Sequence, residues 1–139
     1  MTTEGTQMNR SNVEEVKHLY RLFGEQNIPA ILDMLSPDIE WCEPPNPFNP
    51  CGGMHRGHKG FLEWANIGRE AEEILVLEPR KMLADEDSVA VVGHMKIRAN
   101  ATGKIYESDF VHVVTFRNGK VTRFQEFFDT YAAGEAFRP

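Results

Sequence analysis

An α+β domain, with helices gathered early and a curved, mainly antiparallel sheet behind them, is the fold this sequence predicts. Three observations carry that prediction. An amphipathic stripe recurs at helical spacing between residues 13 and 23, alternating runs fill residues 74 to 129, and Asn118-Gly119 separates the last two runs. Asn-Gly between alternating runs is a strong hairpin signal, because both residues tolerate φ > 0.

Taken in order, Ser11 and Glu14 fit a capping box that opens the first helix, with Val13, Val16, Leu19, Tyr20 and Phe23 on its apolar side. Pro29 suits the first turn of a short second helix carrying Ile28, Ile31, Leu32 and Leu35, which Ser36-Pro37 stops. Residues 38–43 alternate, so a short strand places Ile39, Trp41 and Glu43 on one face. Four prolines and three glycines make residues 44–57 an irregular loop, of a length that is more often functional than idle. Helical spacing returns over residues 58–71 with Phe61, Trp64, Ala65 and Gly68.

Strands follow at 74–84, where Pro79 argues for an edge or a bulge, and at 88–98. The hairpin closes the sheet, and residues 131–137 form a last helical turn. If Arg117 pairs with Lys120 and the register runs on unbroken, one face carries Phe110 and His112 opposite Gln125, Phe127 and Asp129. Val111, Val113, Phe124, Glu126 and Phe128 then lie on the other face. That second face, left uncovered by the helices, predicts a homodimer.

Composition bounds the function. The chain has 139 residues and a formal charge of −6, with 15 basic residues scattered among 21 acidic ones, which argues against nucleic acid. No stretch approaches the roughly 20 apolar residues of a membrane span. Residues 1–10 read as a polar flexible leader without the apolar core of a signal peptide, and residues 11–139 as one domain. Two cysteines make no disulfide framework, so reduced thiols in a cytoplasm are expected. Cys42, Cys51, His55 and His58 begin with too wide a gap for a zinc site, and no nucleotide or serine-hydrolase motif occurs, so neither metal nor cofactor is expected.

The opening helices, the Trp41-Cys42-Glu43-Pro44 strand end, the Pro/Gly loop and the FRNGKVTRFQEFFD run resemble the nuclear transport factor 2-like superfamily. Within it, residues 11–137 are most similar to the SnoaL-like and ketosteroid-isomerase-related branch. The resemblance implies a cone-shaped α+β barrel around a mostly apolar pocket, lined by some of Trp41, Phe61, Trp64, Phe110 and Phe127. It also implies a cofactor-independent isomerase or cyclase moving a proton on an apolar carbonyl compound, or alternatively a binding module for an apolar ligand. Carried over, the proton-shuttling carboxylate falls on Glu43, the helix tyrosine on Tyr20, and a family aspartic acid on His112. The SnoaL-like cyclases have an acidic base on the last strand, for which the unbroken register favours Asp129 over Glu126. Each candidate has an ordinary alternative: Asp129 as a helix N-cap, His112 satisfied by Gln125, Tyr20 as core.

Overall fold

The computed structural model describes residues 3–139, with side chains from residue 12 onward. The first helix, α1, spans Thr3–Glu25, so the backbone is helical well ahead of Ser11. The capping contact expected of the Ser11 side chain falls outside the described residues. Val16, Leu19 and Leu22 are buried, and Tyr20 and Phe23 pack against the same core. Gln26 ends the helix at φ 55°, its N–H donating to Phe23 O and that of Asn27 to Leu22 O. This reversed turn satisfies carbonyls the helix end would otherwise leave open.

Asn27 then caps α2 (Ile28–Met34) by accepting from Ala30 N. Strand β1 (Leu35–Glu43) follows at once, starting ahead of the expected Asp38 because Leu35 already pairs with Val121. Ser36-Pro37 is therefore strand, within an irregular stretch of register between Leu35 and Glu40. The expected loop is shorter than residues 44–57, because β2 (Gly53–Arg56) folds back on β1. Next come α3 (Gly57–Ala71), β3 (Glu72–Ala84), β4 (Ser88–Ala99), β5 (Ile105–Arg117), β6 (Lys120–Phe128) and α4 (Thr130–Phe137).

The six strands form one sheet in the order β2-β1-β6-β5-β4-β3, antiparallel throughout except for the parallel β1–β6 pair. The sheet curves around the N-terminal helices, with β3 at one edge and a register break at Pro79, where a missing N–H is tolerated. Along β4 and β5 every second residue is buried, so one face of the sheet turns inward. Gly93 lies opposite Pro79 and Phe110; a Cβ there would come within 2.4 Å of the Phe110 ring and of the Glu78 carbonyl. Only glycine lets the strands close up at this level.

The hairpin turn forms as expected, with Asn118 at φ 53° and Gly119 at φ 78°, and Arg117 opposite Lys120. The register does not run on. Phe116 faces Val121, but Thr115 faces Arg123, so Thr122 is an extra residue in β6. One bulged residue inverts every later side chain. His112 therefore pairs with Glu126 rather than Gln125. Phe124, Glu126 and Phe128 join the inner face, whereas Gln125 and Phe127 turn outward. The outer apolar patch is corrected accordingly: it keeps Val111 and Val113, loses Phe124 and Phe128, and gains Phe127, which is 47% exposed.

Candidate active site

The inward face of the sheet, α1 and α3 enclose a cavity of about 780 Å³, lined chiefly by apolar side chains. Two hydrogen-bonded clusters stand among its polar groups. The first is built on Glu43, the last residue of β1, which is only 6% exposed. Trp64 Nε1 on α3 donates to its Oε1 at 2.8 Å, and Asn49 Nδ2 donates to its Oε2 at 2.8 Å. Asn49 is held in turn by the loop, its Oδ1 accepting from Cys51 N. Asn46 ties the same loop to α4 through Thr130 O. The proline-rich segment thus serves as a brace that carries an amide to the carboxylate.

Burial first, and the negative charge of Glu126 second, push the Glu43 pKa up to about 8, against the opposing effect of the two hydrogen bonds. Near neutral pH this acid exchanges its proton readily.

The second cluster is a chain of three side chains. Tyr20 Oη lies 2.5 Å from His112 Nδ1, and His112 Nε2 lies 2.9 Å from Glu126 Oε2. His112 is 3% exposed, stacked on Phe110 at 4.2 Å between centroids and flanked by Phe124. A carboxylate only accepts, so an ionised Glu126 fixes the ring hydrogen on Nε2. Burial, then the charge of Glu126, raises the Tyr20 pKa and keeps its phenol protonated. Trp41 packs flat on Phe124 at 3.9 Å, linking the two clusters through one aromatic wall.

The structure brings Glu43, Tyr20, His112, Trp41 and Trp64 to this single cavity. It does not bring Asp129 there. Asp129 caps α4, accepting from Ala132 N at 2.9 Å, because the bulge turns it away. Gln125 and Phe127 are displaced to the outer face by the same shift, and the buried Phe61 and Phe110 pack behind the lining rather than in it. Sequence reasoning passed over Glu126 and missed Glu72 and Asn49. Glu126 could be found only by seeing the bulge, and no sequence signal marks Thr122.

Cys42, Cys51, His55 and His58 do not converge. Cys42 Sγ contacts Met54 Sδ, His55 Nε2 reaches Cys51 O, and His58 Nε2 reaches Leu35 O. Both cysteines are free thiols. Among the described residues no three side chains are placed to hold a metal, and no helix is long and apolar enough to cross a membrane.

The model of the SnoaL-like domain matches residues 16–124, which is most of the chain. The chain belongs to the SnoaL-like family. It shares its fold with an NTF2-like protein of Burkholderia xenovorans LB400 (32% identity, 94% of this chain and 98% of that one, TM-score 0.86). It is likewise similar to TerC co-crystallised with polyporic acid (30% identity, 91% and 98% covered, TM-score 0.79). An uncharacterised protein of Mycobacterium tuberculosis is 22% identical over 128 residues, covering 91% of this chain and 95% of the relative. These place the SnoaL-like chain in the NTF2-like superfamily.

Proposed function

We propose that this SnoaL-like protein is a cofactor-independent enzyme that moves a proton on an apolar carbonyl compound, by isomerase-type or cyclase-type chemistry. The observation that carries the reading is a buried carboxylate of raised pKa, Glu43, sharing one apolar cavity with a protonated tyrosine wired to a His–Glu pair. An apolar cavity with a few converging polar groups is the usual form of a small-molecule site. That TerC, 30% identical to this chain, was co-crystallised with polyporic acid supports a small-molecule ligand here too.

In this reading Glu43 in its ionised form removes the proton α to the carbonyl. The C–H electron pair becomes the enolate C=C bond, and the carbonyl π pair moves to oxygen. His112 donates Nε2–H to Glu126 and holds the Tyr20 hydroxyl at Nδ1. The phenolic hydrogen of Tyr20 then turns to the enolate oxygen, where a donor in a low-dielectric site contributes most. Glu43 returns the proton to another carbon in an isomerisation. In a cyclisation the enolate carbon attacks a second carbonyl, which takes the proton on its oxygen.

Two broader expectations belong to the same reading: a homodimer through the outer face around Val111, Val113 and Phe127, and a cytoplasmic protein. Sedimentation at micromolar concentration checks the first, and monomer alone defeats it. The reaction is checked by deuterium exchange α to the carbonyl of an acetylnaphthalene, followed by NMR in heavy water. Exchange above the buffer rate that is lost in Glu43→Gln supports it. Buffer-rate exchange in the unsubstituted protein, while the ketone is bound, defeats it and leaves a binding module.

A further inference from the structure

Four carboxylates line the cavity, and three of them have partners. Glu43 receives an N–H on each oxygen, Glu126 is bonded to His112, and Glu73 is paired with Arg98. The fourth, Glu72, is the first residue of β3 and faces the same space. Among the described residues its carboxylate accepts no hydrogen bond and joins no ion pair. Glu72 is half-buried and its oxygens stay accessible, so a partner can come from whatever fills the cavity.

The surroundings say what that partner is. Gly68 on α3 leaves the wall open beside the carboxylate: a Cβ there would stand 4.0 Å from Glu72 Oε1 and 3.9 Å from Cys51 Sγ. Glu43 and Glu126 line the same space, and burial first, then the charge of Glu126, push the Glu72 pKa up to about 7. Burial, followed by the charges of Glu72, Glu43 and Glu126, also raises the pKa of Tyr106. The nearest lining cation, Arg69, is exposed and engaged by Asn66. A carboxylate or phosphate on the ligand would therefore be repelled. An ammonium would be attracted, but it would also pull the Glu43 pKa back down and weaken the base. An uncharged donor avoids both penalties.

We infer that Glu72 is a specificity-determining residue that accepts a hydrogen bond from a hydroxyl on the substrate, at a point distinct from the carbonyl engaged by Glu43 and Tyr20. The substrate class is then a hydroxylated apolar carbonyl compound. This rests on the carbonyl-site reading of the cavity, and the two are separable by experiment.

The probes are a hydroxynaphthyl methyl ketone, its methoxy ether, the unsubstituted ketone and an aminomethyl analogue, titrated calorimetrically into the unsubstituted protein, Glu72→Gln and Glu72→Leu. The hydroxy ketone should bind about tenfold more tightly than the ether or the unsubstituted ketone, the size of one buried hydrogen bond. Glu72→Gln should keep most of that preference, because its amide oxygen still accepts. Glu72→Leu should bring the three within about twofold of one another. A preference that survives in Glu72→Leu, no preference in the unsubstituted protein, tighter binding of the amine, or no binding of any probe overturns the assignment. α-Deuterium exchange is recorded on the same samples. Hydroxyl preference without exchange defeats the reaction and leaves Glu72 assigned; exchange without preference does the reverse.

Discussion

Glu43 and Glu126 stand in the same cavity as buried carboxylates, yet their surroundings give them opposite roles. Glu43 is held by two neutral donors, Trp64 and Asn49, and by no cation, so its proton is mobile near neutral pH. Glu126 is held by His112, and its charge is the second cause, after burial, that raises the pKa of Glu43, Glu72 and Tyr20. In the proposed reaction one carboxylate works by changing its protonation, the other by its effect on its neighbours. Residue type alone would not separate them; the neighbouring donors do.

The sharpest break of that contrast is Glu43→Gln. It keeps the shape and removes the proposed base, so α-exchange should fall by about 10²–10⁴-fold, the usual contribution of a positioned base. NMR exchange rates check it.

Glu126→Gln probes the other partner. Without the negative charge at Glu126 the Glu43 pKa falls. The sign follows directly: the base acts when ionised, so the rate of the unsubstituted protein rises with pH through about 8. In Glu126→Gln that rise should move to lower pH, while the plateau drops about tenfold as His112 loses the carboxylate that orients it. A pH–rate profile that drops without shifting would mean that Glu126 does not set the basicity of Glu43.

Gly93→Ala tests the packing beneath the second cluster. The new methyl meets the Phe110 ring, which stacks on His112, so about 1–3 kcal/mol of stability should be lost, read by denaturant unfolding. The smallest effect belongs to Asp129→Ala. Loss of the α4 cap should cost about 1 kcal/mol, with the exchange rate unchanged. A fall in exchange there would restore Asp129 to the site.

The hairpin shows how a correct local reading can still misplace a site. Alternation and Asn118-Gly119 located both strands and the turn, and Arg117 does face Lys120. Thr122 then shifts the pairing by one, and with it Glu126 enters the cavity while Gln125 and Phe127 leave. At Glu43 no comparable break intervenes. Ile39, Trp41 and Glu43 share the buried face that alternation assigned them, because burial alternates without a break from Ile39 to Glu43.

By itself the sequence determined what depends on near neighbours: helix stripes, strand alternation, the turn, and a carboxylate closing β1 before a proline loop. These follow from backbone geometry and from the polarity of residues a few positions apart. The tertiary structure alone decided which polar groups meet. Tyr20 and His112 are 92 positions apart in the chain, and Glu43 meets Trp64 across 21. Such contacts depend on sheet curvature and on one bulged residue, and a shift of a single residue reverses which side chains face the cavity.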